Sequence, residues 1–244
     1  MKSNTFIFAF LAMLLASCNT GNDPDTNNGN SGITFNSSLT YGSITDQDGN
    51  TYKTIQIGTQ TWMAENLRTT KYNDGTAIPV ITDVESLKTL TSGAYINPNN
   101  KIEVDSILLY GRLYNFHAVN TGKLAPAGWH VATYAEWTKL ITFLGGENLA
   151  GAKTKETGTL HWKANNTGAT NESGFTAIPS GYCSPIEWTG QKNFESILMG
   201  AYFWQKDGYA SQTATSVILF YNTEKMTRGT AYKYSGLSVR CVKD

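Results

Sequence analysis

Hydrophobic and polar positions divide this chain into a short apolar leader, a polar stretch and a long patterned body. Residues 6–15 form an almost unbroken apolar run behind Lys2. A membrane-crossing helix needs about 20 apolar residues, so the run has the dimensions of a signal-peptide core instead. Residues 19–32 contain no large apolar side chain. Such a segment cannot offset its own ordering entropy and is expected to be a flexible tether. Residues 33–244 carry the pattern of a folded body.

The body opens with strand signals. Asp46-Gln47-Asp48-Gly49-Asn50 is a turn sequence, rich in residues that tolerate positive φ. Tyr52 to Ile57 then reads as a half-buried strand, Gly58-Thr59-Gln60 turns the chain, and Thr61-Trp62-Met63 returns it as a hairpin. Residues 64–68 are expected to form a short turn or helix, and residues 80–107 loops and short pieces. Leu109, Leu113, Phe116 and Val119 fall near helical spacing and predict a helix. A second helix has a better start signal, because Thr133 and Glu136 fit a capping box. Trp137, Leu140, Ile141 and Leu144 give it a buried stripe, and Gly145-Gly146 stops it. Beyond it, short apolar segments at residues 175–178, 201–204, 216–220 and 237–240 predict short strands between polar loops. The pattern as a whole predicts an α+β fold, with helices in the first half and an antiparallel sheet mostly in the second.

Composition narrows the class. In 244 residues, 19 basic side chains balance 19 acidic ones. A nucleic-acid binder needs a surplus of Lys and Arg, so that class is excluded. The 13 Tyr, 10 Phe and 6 Trp exclude global disorder. The leader ends in Leu15-Ala16-Ser17-Cys18, which resembles the bacterial lipobox. The resemblance implies that Cys18 is acylated and becomes the mature N-terminus, with residues 1–18 as the signal peptide together with its lipobox cysteine and the outer membrane as the expected location. An ordinary signal peptide would share the apolar run, but here the cysteine falls where that run stops.

Five segments in order carry a further resemblance: residues 45–67, 110–116 (YGRLYNF), 128–137 (GWHVATYAEW), 171–182 (NESGFTAIPSGY) and 236–244 (GLSVRCVKD). Together they resemble the Fibrobacter succinogenes major paralogous domain, a bacterial surface-protein family. The resemblance implies one domain over residues 33–244 with a C-type-lectin-like fold: two helices packed on a small twisted antiparallel sheet, with long variable loops. Members often carry a cysteine just before the Gly-Trp-His motif, partnered with the C-terminal cysteine. Ala125 and Pro126 stand there in this chain, and Cys183 is present instead. A Cys183–Cys241 bridge and two buried free thiols are both open readings.

Catalytic and metal chemistry find little footing. His117, His130 and His161 are the only histidines, and none stands at a metal-ligand spacing from another ligand. His130, between Trp129 and Val131, reads as a satisfied core histidine. Nucleophile-elbow, P-loop and dinucleotide-binding motifs are absent. The lectin resemblance invites a calcium check, and the nearest triplet, Asn97-Pro98-Asn99, lacks an acid. Formylglycine-generating oxidases, of related fold, use closely spaced cysteines, unlike Cys183 and Cys241. No cofactor and no metal are therefore expected. Surface recognition remains, and the segment from Tyr182 to Gln212 supplies its candidates: Trp188, Lys192, Asn193, Lys206, Asp207 and Tyr209. Aromatics beside amides and charges suit stacking on sugars or anchoring a protein interface. Tyr202, Phe203 and Trp204 are expected in the core. The expectation is a non-enzymatic, lipid-anchored adhesion or binding protein, its partners a polysaccharide, a glycoprotein or an envelope protein. The alternatives are an envelope or fimbria-associated assembly component and, more distantly, a hydrolase.

Overall fold

The computed structural model describes residues 32–186 and 193–244. Cys18, the leader, the tether up to residue 31, and Trp188 and Lys192 lie outside the described residues. The first strands are β1 (Gly42–Thr45), β2 (Thr51–Ile57) and β3 (Gln60–Met63). Asp46 builds the turn between β1 and β2. Its carboxylate accepts the amides of Asp48 (2.9 Å) and Asn50 (3.0 Å), the Asn50 side chain (2.9 Å) and the Tyr52 hydroxyl (2.6 Å). The β2–β3 hairpin pairs Ile57 with Gln60, leaving Gly58-Thr59 as a two-residue turn with Gly58 at φ +61°. Residues 64–68 form neither helix nor strand, but pack as buried irregular chain.

Next come β4 (Tyr95–Ile96), α1 (Val104–Tyr110), β5 (Leu113–Tyr114) and α2 (Phe116–Asn120). The helix expected through Leu109 and Val119 is thus two helices with a strand between. Gly111, at φ +70°, ends α1; a Cβ there would stand 2.6 Å from Asn66 Cβ and 2.9 Å from the Leu67 carbonyl. The Asn115 side chain then accepts the Ala118 amide at 3.0 Å and starts α2. Then follow β6 (Trp129–Val131), α3 (Tyr134–Phe143) and α4 (Glu147–Thr154). The capping box of α3 is formed: the Glu136 amide donates to the Thr133 hydroxyl (3.3 Å), and the Thr133 amide donates back to the Glu136 carboxylate (2.8 Å). Trp137, Leu140, Ile141 and Leu144 are buried, and Gly145 and Gly146 turn the chain at φ +98° and +92°.

Residues 155–179 contain neither helix nor strand. The segment at 175–178, expected as a strand, makes a single bridge at Ala177, and Thr176 has φ +52°. The last strands are β7 (Ser180–Ser184), β8 (Asn193–Ile197), β9 (Gly200–Tyr209), β10 (Thr213–Phe220), β11 (Met226–Tyr232) and β12 (Cys241–Lys243). Two five-stranded sheets result, ordered β1-β2-β3-β12-β6 and β11-β10-β9-β7-β8, with a small β4-β5 pair. Pairing is antiparallel except between β7 and β9. The described fold is mixed α+β, mostly sheet, with four α-helices where two were expected and, where one sheet was expected, two five-stranded sheets and a two-stranded one.

Residues 237–240, also expected as a strand, instead form, with Gly236, the seam between the sheets. Gly236, Leu237 and Ser238 make single bridges to Cys183, Tyr114 and Phe203 before the chain enters the first sheet as β12. Arg240 sits in this seam, fully buried. Its guanidinium lies 4.4 Å from the Phe175 ring centre. It donates to Asn66 Oδ1 (2.8 Å) and to the carbonyls of Met63 (2.9 Å), Phe175 (2.7 Å) and Thr176 (2.9 Å). Burial pulls its pKa down to about 9, against the opposing charge of Glu65, so it remains a cation at neutral pH. Around it Trp62, Trp137, Phe175 and Phe203 pack ring against ring, with centres 4.9 to 5.8 Å apart. Phe203 and Trp204 are buried as expected, whereas Tyr202 is half-buried.

Candidate functional site

The sequence candidates do not form one cluster. Asn193 begins β8 opposite Ser184, half-buried, in the left-handed region at φ +84° that Asn tolerates. Lys206 lies in β9, where its amide donates to the Ala132 carbonyl at 3.0 Å. Asp207 accepts the amide of Tyr134, the first residue of α3, where a carboxylate is favoured by the helix dipole. Asp207 therefore ties β9 to α3 and is occupied structurally. Gly208 follows at φ +76°, and the β9–β10 register shifts between Ala214 and Ser216. The strand twists there, and Tyr209 turns toward α2 instead.

Tyr209 is the candidate that the fold leaves open. It is 56% exposed. Its ring leans on Phe116 of α2, centres 5.5 Å apart at 54°, and the Lys233 ammonium lies 4.6 Å from its centre. The same ammonium stands 6.0 Å from the Phe116 ring. Lys233 follows β11 directly, and its amide donates to the Gln212 carbonyl in the β9–β10 turn at 2.9 Å. Tyr232 and Tyr234 flank it and stack on each other, 5.0 Å apart at 8°. His117, next to Phe116 on α2, has its pKa lowered by burial and then by the charge of Lys233. Sequence reasoning missed Phe116 and Lys233. The β9–β10–β11 register and the break before α2 bring them to Tyr209, and neither is visible as a local pattern.

Most of the remaining titratable groups serve the fold. His130 is satisfied but stands partly exposed, not in the core: Nε2 meets Glu136 Oε1 at 2.7 Å and Nδ1 meets Asp244 Oδ1 at 2.6 Å. Both ring nitrogens face carboxylate oxygens, which accept, so the arrangement favours the charged imidazole. Burial alone would lower its pKa, but the two carboxylates outweigh it and raise it. His161 Nδ1 lies 2.8 Å from the buried Glu156, whose other oxygen accepts the Thr34 amide at 2.6 Å. Lys155 Nζ donates to the carbonyls of Thr167, Phe220 and Thr223, and burial lowers its pKa to about 8.

The open question of the cysteines resolves against a bridge. Cys183 and Cys241 are both buried free thiols. Cys183 packs with Val84, Leu87, Ile96 and Leu113, while Cys241 packs in a separate apolar cluster with Val131 and Trp204. Burial raises both thiol pKa values, which leaves them unreactive.

Among the described residues, no three His, Cys, Asp or Glu side chains converge as metal ligands. The carboxylates of the Asp46–Asn50 turn are engaged, Asp48 by Thr69, Thr70 and Lys71. A shallow groove of about 430 Å³ runs between the β2–β3 turn and α3, lined by Ile57, Gly58, Gln60, Thr138, Thr142 and Phe143 among others. None of the sequence candidates lines it. No helix among the described residues is long and apolar enough to cross a membrane.

Comparison with known proteins places the chain. The model of the Fibrobacter succinogenes major domain matches residues 55–243, and the chain belongs to that family. No curated protein and no solved structure matches it.

Proposed function

We propose that this member of the Fibrobacter succinogenes major domain family is a non-enzymatic binding protein held on the bacterial outer membrane by a lipid on Cys18. Its ligand surface is the Tyr209 end of the second sheet. The observation that carries this reading is the exposed Tyr209 ring, buttressed by Phe116 and topped by the Lys233 ammonium. A rigid, amphipathic ring held at the surface offers contact area at little entropic cost. Binding is favoured over catalysis because His130, His161, Asp46, Glu136 and Glu156 are held in bonds that build the fold. A C-type-lectin-like reading of the architecture agrees with the mixed α+β body and with residues 155–179, a long irregular loop on a sheet scaffold.

The test is a screen of the purified protein against polysaccharides, glycoproteins and envelope proteins, run beside Tyr209→Ala. A ligand retained by the native protein and lost by the variant supports the reading. A ligand bound equally by both removes Tyr209 from the site.

A further inference from the structure

The charge at the Tyr209 surface narrows the ligand class. Several lysines of this protein have a carboxylate partner: Lys71 with Asp48 (3.2 Å), Lys88 with Glu85 (2.8 Å), Lys123 with Asp74 (2.8 Å) and Lys153 with Glu172 (2.9 Å). Lys233 has none within ion-pair distance among the described residues, although it is half-buried. Its ammonium rests on two aromatic faces, which attract a cation but accept none of its three N–H groups as a carboxylate would. Asp207, two residues before Tyr209, bonds to the α3 backbone. The other titratable group whose protonation Lys233 disturbs is His117 on α2, which disfavours a second positive charge beside it. The local field is therefore positive, while the whole chain is neutral and gives no long-range steering.

We propose that the Tyr209–Lys233 surface binds a carboxylate-bearing sugar, a uronic acid unit of an acidic polysaccharide. The pyranose ring stacks on the exposed part of Tyr209, and the sugar carboxylate pairs with the Lys233 ammonium. The two contacts suit one hexuronate, because the ammonium stands 4.6 Å from the ring centre, within the span of a single sugar. A neutral sugar would use the ring alone, and a phosphate-rich ligand would need more cations than one. This inference rests on the binding reading of the same surface.

The test measures binding of the full protein to polygalacturonate, dextran and polyglutamate, with Lys233→Gln and Tyr209→Ala as variants. Circular dichroism confirms that each variant is folded. Polygalacturonate is expected to bind best, and more weakly as salt rises through the range that screens exposed charges. Lys233→Gln is expected to weaken polygalacturonate about two- to fivefold, the scale of one exposed but favourable charge contact, and to leave dextran unchanged. Tyr209→Ala is expected to weaken both sugars. Equal binding of dextran and polygalacturonate, unaffected by Lys233→Gln, overturns the acidic-sugar inference and leaves the binding reading standing. Polyglutamate bound as well as polygalacturonate overturns the sugar assignment. Failure of the native protein to bind any of the three overturns the inference; if the wider screen also finds no ligand, the binding reading falls with it.

Discussion

Arg240 shows what a single buried side chain can decide in this protein. Its guanidinium satisfies an amide oxygen and three backbone carbonyls from segments that are far apart in sequence. Arg240→Met keeps much of the volume and strands those oxygens without donors. The expected cost is about 3–5 kcal/mol, the range for removing one member of a buried charged network, read as a lowered midpoint in urea. His130 makes a different case, because its contribution depends on pH. Its folded pKa is raised, so its stabilisation is fully present below its unfolded pKa of about 6.5 and is lost as pH rises through the folded value. The Tm advantage of the native protein over His130→Gln should therefore shrink as pH rises from below about 6.5 through the raised folded value. An advantage constant across that interval would show that the ring is not held as a cation. Neither role was legible beforehand. Asp244 lies 114 residues from His130, and Arg240 draws its acceptors from as far as 177 residues away.

At the scale of elements, legibility followed locality. Helix α3 was readable because its cap, stripe and stop all lie within fourteen consecutive residues, Thr133 to Gly146. The β2–β3 hairpin was readable for the same reason. Thr133→Ala should cost about 1 kcal/mol of unfolding free energy, the usual loss for an N-cap hydroxyl, although Glu136 keeps its contact with His130. The helix expected through residues 109–119 failed because burial, not helical periodicity, set its apolar positions. Leu113 is buried from a strand, Phe116 and Val119 from the next helix, and Gly111 is required where the chain crosses Asn66 and Leu67. The same limit applies to the candidate surface. Tyr209 could be chosen from composition, but its neighbours Phe116 and Lys233 depend on sheet register.

For the molecule as a whole, neutrality of the chain conceals an uneven surface. Part of the charge goes into ion pairs, whereas Lys233 has no carboxylate partner among the described residues and sits beside an exposed tyrosine. If Cys18 carries the proposed lipid, Cys18→Ala should move the protein from the membrane fraction to the soluble fraction on cell fractionation. Retention in the membrane fraction would contradict lipidation at that cysteine.

The location of the ligand surface is tested most directly by hydroxyl-radical footprinting of the intact protein with and without polygalacturonate. Tyr209 and Phe143 are both exposed and both report, one from the proposed surface and the other from the groove beside α3. Protection of Tyr209 with Phe143 unchanged is the expected result. Protection of Phe143 with Tyr209 unchanged would contradict the account.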